Sequence, residues 1–553
     1  MKKYTTLLLL LGIGSILLAQ NTVGLLSYNP SQSYDGYNLM YPHNQPNVFL
    51  LNNCGEIVHV WEDEPNFRPG NTAYLTDEGL LYKTKRDANV TGDAIFRGGA
   101  GAIIEVRDWD NNLVWDYTLN NDKYRFHHDI AVTPEGTVLA VAWELKTIEE
   151  CAAAGRDTTT LRDGALWPEV IFELDPVTDS IIWEWHAWDH LIQDFDSTAN
   201  NYGVVADHPE LIDVNYDVRE GDADWLHFNS IDYNEGIDQI LVSVPHFDEL
   251  WIIDHTTTAE EASGNFGGFS DRGGDLMYRW GNPVTYRQGT EDDKQLFFQH
   301  DVQWIDDHLT VSNPQYGKIA LFNNQFGDNF SVVSVINPPW VEYGWMYSMD
   351  NEVWLPQTYD FNLSHPIDST NLWSTALSGV QFLPNGNSLI LSGRFGYTFE
   401  LTPDNDIVWE YVTPRIGTAP ATQGDELMIN QNLTFRFNRF PLDFPAFEGR
   451  DLDPMGFVEL EPNETFCDQL LPTSDILDET AFSVYPNPVT DMLTVEWDGM
   501  MSADIALTSI IGQVIYNNQA VSGGRIYIDV SEFDPGIYLL SIDGAHARKV
   551  IVD

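Results

Sequence analysis

The sequence predicts an all-β protein: a six-bladed β-propeller followed by a small C-terminal β-sandwich. Three observations predict it. An apolar hairpin ending in Trp recurs between Asn21 and about Pro472, a second kind of hairpin alternates with it, and the composition changes character near Phe482. The expected organisation is a leader at 1–19, a propeller at 20–472, a linker at 473–481 and the sandwich at 482–553.

The leader reads MKKYTTLLLLLGIGSILLAQ, with Lys2 and Lys3 ahead of a leucine-rich run too short for a membrane span. This is the pattern of a secretory signal peptide, cut after Ala19. No later run approaches the roughly 20 apolar residues of a spanning helix, so no transmembrane segment is expected.

The Trp-ended phrase is VFLLNNCGEIVHVW at Trp61, IIEVRDWDNNLVWDY at Trp115, VIFELDPVTDSIIWEW at Trp183 and YTFELTPDNDIVWEY at Trp409. A diverged copy runs from LWIID to LMYRW at Trp280. Alternating aromatic and β-branched residues flank a turn of Asn, Asp, Gly or Pro in each, which predicts a β-hairpin. The other hairpin is seen in GNTAYLTDEGLLYKT, HHDIAVTPEGTVLAVAW, LHFNSIDYNEGIDQILVSV, HDVQWIDDHLTVSN and LSGVQFLPNGNSLILSG. Two hairpins make four strands, the content of one blade. Five units are clear, and Tyr37–Trp61 with GDELMINQNLTFRFNRF supply the halves of a closing sixth. EECAAAGRD and DHLIQDF suggest short helical insertions.

Composition limits the function. With 27 Lys+Arg against 84 Asp+Glu the formal charge is −57, which excludes nucleic acid as a partner because a polyanion needs clustered cations. The chain is 43% hydrophobic and 13% aromatic, ample for a large core. Cys54, Cys151 and Cys467 allow at most one disulfide and lack the close spacing of a zinc site.

Aligning the second kind of hairpin on Gly79, Gly136, Gly386 and the turns after Tyr233 and Ile305 brings Asn71, His128, His227, His300 and Ser378 into one register at the strand entrance. Innermost strands of a propeller surround one channel, so His128, His227 and His300 are expected to converge there. His127 is expected on the opposite face of its strand, and Asp129 and Asp301 are expected to alternate away from the histidines. Trp225, Phe228, Phe298 and Trp304 either line an entrance or pack between blades. Convergent imidazoles suit an open metal site or metal-free group transfer with one imidazole as nucleophile, and the residues leave both open. No HExxH or close His-x-His pattern occurs, and no metal or cofactor is expected.

The stretch FSVYPNPVTDMLTVEW, IALTSIIGQVIYN and IDVSEFDPGIYLLSI resembles the C-terminal sorting domain of the type IX secretion system of Bacteroidetes. That resemblance implies the secretion machinery as a partner and a secreted or cell-surface location. The phrases GYNLMYP, FLLNNCGEIVHVW, FHHDI, DWLHFNSIDY and FQHDVQW, in this order over about Thr22 to Thr413, resemble the arylsulfotransferase family of exported six-bladed propeller enzymes.

This second resemblance implies transfer of a sulfuryl group from a small phenolic sulfate ester to a phenolic acceptor through a sulfohistidine. The nucleophile falls on His300, with His128 and His227 in support. The family's arginine, in a serine-arginine-histidine phrase, is replaced here by Ser243, Val244, Pro245 and His246. His246, Arg279 in MYRWGNP and Arg394 in LSGRFGY are the candidate substitutes for its contact with sulfate, and the block YRWGNPVTYRQGT is expected either as a rim loop above the channel or as a structural element. The competing expectations are a surface-displayed binding or adhesion module without catalysis, and a metal-dependent hydrolase or lyase on the same channel.

Overall fold

The computed structural model describes residues 21–470, apart from 307 and 341–345, and most of 482–552. The expected leader and linker lie outside the described residues. The chain divides into two compact units between Cys467 and Asp468. Among the described residues no helix is long and apolar enough to cross a membrane.

The first unit is built from six antiparallel sheets of four or five strands, with four two-stranded sheets besides. Each repeat of two hairpins folds into one sheet, because its alternating apolar residues leave two buried faces that only neighbouring sheets can cover. Trp61, Trp115, Trp183, Trp280 and Trp409 all lie on the fourth strand of a sheet, in Ile57–Trp61, Leu113–Thr118, Ser180–His186, Tyr278–Trp280 and Ile407–Val412. The turn glycines Gly79, Gly136 and Gly386 all adopt left-handed φ, from +79° to +92°, as tight hairpin turns require.

Each first strand lies against the next: Phe67–Leu75, Tyr124–Val132, Ser230–Asn234, His300–Trp304, Gly379–Phe382 and Thr434–Pro441, the last contacting Phe67–Leu75 again. All six contribute to a cavity of about 720 Å³, through Tyr74, Asp129, Ile231, Asp301, Val380 and Arg436. Apolar clusters fill the spaces between sheets, the largest around Trp185, Trp225, Phe228 and Trp251.

The unit is closed on itself in three ways. Strand Thr434–Pro441 pairs with Gly36–Pro42, whose sheet continues through Val48–Asn52 and Ile57–Trp61. Strand Gly24–Tyr28 adds a fifth strand beside Ile407–Val412. Cys54 is disulfide-bonded to Cys467, while Cys151 is free and buried. Arg439 couples the closing sheet to its neighbour: its guanidinium, fully buried, is ion-paired with Glu400 and bonded to Asn38 Oδ1 at 2.7 Å.

Two local expectations change. The hairpin HDVQWIDDHLTVSN is not formed: His300–Trp304 pairs instead with Ile319–Gly327. The apolar stretch of that strand, IALF, is fully buried, whereas most of residues 309–318 are exposed or half-buried and polar, so pairing with the later segment buries more. The EECAAAGRD stretch does form a helix, Ile148–Ala153, started by a Thr147–Glu150 capping box. In DHLIQDF only a short 3-10 turn ending at His190 precedes the strand Leu191–Ile192.

The second unit carries a three-stranded and a four-stranded antiparallel sheet. Leu493, Val495 and Ile528 of one and Ile505, Leu507 and Leu540 of the other share one buried cluster.

A half-buried ionic clamp ties two neighbouring sheets. His255, which follows Glu249–Asp254, donates from Nε2 to Glu173 at 3.1 Å and from Nδ1 to Asp238 at 2.7 Å. Burial disfavours the imidazolium, but the two carboxylates outweigh it and raise its pKa to about 9. Because the folded value lies above the ordinary 6.5, the clamp stabilises fully below pH 6.5 and fades as pH rises through about 9. His255→Gln is therefore expected to cost about 2–3 kcal/mol at pH 6 and almost nothing near pH 10, measured as urea midpoints of both proteins across that range.

Candidate active site

The entrance to each first strand is where the polypeptide leaves regular pairing. Asn71, His128, His227 and Ser378 all have positive φ, at 134°, 49°, 63° and 89°. At the fifth entrance the positive φ falls on Asp301, at 56°, immediately after His300. A left-handed residue interrupts strand alternation, and the ladders of Tyr124–Val132 and His300–Trp304 shift register there. Side chains one residue apart can then face the same space.

This explains why His127 is not on the opposite face as expected. Its Nδ1 lies 2.8 Å from His128 Nδ1, and its ring stacks on Trp143 with centroids 3.9 Å apart. His127 Nε2 has no hydrogen-bond partner. A buried N–H without an acceptor is costlier than a bare nitrogen, so His127 donates from Nδ1 and His128 accepts. His128 therefore carries its own proton on Nε2.

His300 is set the other way. Asn324 donates its amide to the carbonyls of Ser374 at 2.8 Å and Leu377 at 2.9 Å, which leaves its Oδ1 to face His300 Nδ1 at 2.8 Å. His300 must donate from Nδ1, so its Nε2 is unprotonated. Burial, with the nearby Arg436 charge, lowers its pKa to about 3 despite the Asn324 bond.

His227 belongs to a third arrangement. Its Nδ1 donates to Asp224 Oδ2 at 2.6 Å, and Asp224 Oδ1 accepts from Trp143 Nε1 at 3.0 Å. Burial opposes the Asp224 charge, yet His227 overrides it and holds the carboxyl well below its usual range. The His227 ring lies 4.6 Å from His128 and stacks on His246 at 4.7 Å. His246 donates from Nδ1 to the Asp224 carbonyl at 2.9 Å, and burial, then His227, lowers its pKa to about 3.

Aromatic residues complete the enclosure. Phe298 lies 5.7 to 6.4 Å from His246, His300 and His227, and Phe435 lies 6.0 to 6.5 Å from His128, His300 and His43. His43, whose Nε2 has no partner, is held neutral by burial and Arg86, its pKa lowered to about 4. Trp225, Phe228 and Trp304 pack in the cores between sheets.

Of the arginines expected near the histidines, Arg279 is corrected. It sits on the outermost strand of its sheet, fully buried, with its fork taken up by Glu249, Thr285 and the Leu211 carbonyl. Arg394 is half-buried, bonded to Asn430 Oδ1 at 2.8 Å and to Thr375 Oγ1. A different cation lies among the first strands. Arg436, 7% exposed, ion-pairs through Nε with Asp301 at 2.7 Å and through a terminal nitrogen with Asp129 at 3.3 Å.

The residues that sequence reasoning passed over are Asp224, Asn324, His43, Arg436 and Gly99. Asp224 had a signal, three residues before His227 in DADWLH. Asn324 and Arg436 come from distant strands and had none.

Asp224, His227 and His246 are the residues able to hold a metal ion among those described. As arranged, Asp224 and His227 are 2.6 Å apart, a hydrogen-bond distance, whereas two ligands at about 2.1 Å from one tetrahedral zinc would sit more than 3 Å from each other. The geometry fits an Asp–His pair.

In comparisons with known proteins, the family model "Arylsulfotransferase (ASST)" matches residues 101–417, and the model "Secretion system C-terminal sorting domain" matches residues 483–553. No curated protein matches the chain. Among solved structures, a protein of unknown function from Bacteroides caccae is 10% identical, with 73% of this chain and 99% of that chain covered and a TM-score of 0.38. A virginiamycin B lyase from Staphylococcus aureus is 10% identical over 70% and 87% of the two chains, with a TM-score of 0.30. A Dos1 propeller is 8% identical over 92% and 93%, with a TM-score of 0.28.

Two outcomes test the site's construction. Gly99 has φ +81°, and a Cβ there would lie 2.0 Å from the His128 ring. Gly99→Ala is expected to cost about 1–3 kcal/mol in urea unfolding, whereas Gly98→Ala, with nothing within 4 Å, should cost well under about 1 kcal/mol. His246 stays neutral when folded but titrates near 6.5 when unfolded, so the unfolded chain binds the extra proton and stability falls as pH drops below 6.5. His246→Gln is expected to flatten that acid slope by up to about 1.4 kcal/mol per pH unit, read from unfolding midpoints between about pH 6 and 4.

Proposed function

Because the chain belongs to the arylsulfotransferase family and ends in a type IX sorting domain, we propose that it is an exported aryl-sulfate sulfotransferase that works through a sulfohistidine at His300. The sorting domain directs export to the cell surface or the medium. In this reading the six sheets are the blades of a propeller over 20–472, and the two C-terminal sheets are the sandwich over 482–553.

The observation that carries the proposal is that three neighbouring imidazoles are held in three different hydrogen-bonding states. His300 offers a bare Nε2, the nucleophile. Its lone pair attacks the sulfur of an aryl sulfate, the bond from sulfur to the aryl oxygen breaks, and the departing oxygen takes a proton from His227. His128 donates its Nε2–H to a sulfuryl oxygen, where charge builds in the transition state. His227 is suited to move the proton because Asp224 fixes its ring and balances its charge.

In the second half-reaction an acceptor phenol gives its proton back to His227 while its oxygen attacks sulfur. The S–N bond breaks and returns its electron pair to His300. A sulfuryl group bears little charge compared with a phosphoryl dianion, so imidazole donors and one or two cations suffice. His246, stacked on His227, and Arg394, beside the segment that orients Asn324, are the contacts proposed in place of the family's arginine.

Incubation with 4-nitrophenyl sulfate and a phenol is expected to release nitrophenol and to leave an acid-labile sulfo group on the peptide containing His300. His300→Ala should lose both, with kcat down by on the order of 10⁴-fold or more. The nucleophile stays unprotonated far below neutrality, so turnover should not fall between pH 7 and 5 through its titration. Absence of release and of adduct in the wild-type protein would reject the assignment and favour a binding module.

A further inference from the structure

The closing strand Thr434–Pro441 supplies the only described guanidinium that meets the carboxylates following two of the site histidines. Asp129 follows His128 and Asp301 follows His300. Arg436 ion-pairs with both, at 3.3 Å and 2.7 Å. It also donates to the Ser378 carbonyl at 3.2 Å, at the next strand entrance. Each carboxylate is held from a second side: Asp129 accepts from Tyr74 Oη at 2.8 Å and from the Ile130 N–H at 3.0 Å, and Asp301 accepts from the Val380 N–H at 2.8 Å.

The two bridged positions are where the backbone is left-handed, at His128 and at Asp301 itself. Such conformations persist when surrounding contacts over-determine them. On its other face the guanidinium lies 4.2 Å from the Phe435 ring, and that ring faces His128 and His300. One residue thus sets the spacing of two strand entrances and backs the aromatic surface beneath both imidazoles.

The geometry points to Arg436 as a positioning residue of the transfer site, holding His128 and His300 at their working separation through Asp129 and Asp301. The inference rests on the sulfotransferase reading for its kinetic consequence but not for the structural link itself. Arg436 reaches the two carboxylates through different nitrogens of one planar fork, a geometry that the single ammonium of a lysine does not reproduce. Near-attack alignment is sensitive to displacements of about 1 Å, so the effect should fall on kcat.

Arg436→Lys is expected to fold and keep KM within about threefold while kcat drops about tenfold or more. In ¹⁵N-histidine NMR, with signals assigned by His128→Ala and His300→Ala, the resonances of both histidines should move. The charged and titratable groups facing His128 are His127, His227, His300 and Arg436, and those facing His300 are Arg436 and His227. Asp301→Asn, which removes one arm, should lower kcat and move the His300 signal much more than that of His128. If Arg436→Lys fails to fold, this second variant decides. Unmoved histidine signals, wild-type kcat in Arg436→Lys, or losses that only track the folded fraction would overturn the inference. If the wild-type protein shows no turnover, the sulfotransferase reading fails, and the NMR arm still tests the link.

Discussion

A single guanidinium buried among six sheets is the constraint around which the first unit is arranged. Arg436 comes from the closing strand, its two carboxylates from the second and fourth of the other first strands, and further acceptors from the entrances between them. Burying a charge is costly unless it is paired and hydrogen-bonded, so all of these groups must arrive together. The apolar clusters between sheets tolerate repacking. A buried ion cluster does not, because removing one partner leaves the others uncompensated.

The same polarity governs the imidazoles. His128, His246 and His300 are too buried to carry charge readily, and each is kept neutral with its proton assigned by a neighbour. His227 alone has a carboxylate on its ring. Within a strongly acidic chain, His128, His246 and His300 are thus fixed donors and acceptors, and His227 is the one of the four tied to a carboxylate.

Much of this was legible in the sequence, for reasons that can be stated. Trp61, Trp183 and Trp409 each mark the fourth strand of a sheet, where the indole is buried; Trp61 and Trp183 end their sheets, and the strand of Trp409 is covered by a fifth. The histidine register could be read because equivalent strand entrances face one space. What escaped was set by backbone rather than by residue type. His127 joins the cluster only because His128 is left-handed, which period-two reasoning does not contain. Asn324 and Arg436 act across sheets, and nothing local in NNQF or TFRF signals a partner so far along the chain. Strand Ile319–Gly327 was displaced from its expected place by a polar insertion, which hydrophobic patterning alone could not measure.

The Cys54–Cys467 bond lies at the boundary between the two units. Cys467 is the last residue of the first unit, and Cys54 lies between two strands of its closing sheet. Load passed from the tail into the first unit thus reaches a covalent staple before it reaches any hydrogen-bonded ladder of that unit. Proteolysis anywhere beyond Cys467 would leave the catalytic unit with both of its ends still fastened, so anchoring, tugging or shedding of the tail need not be felt at the histidines.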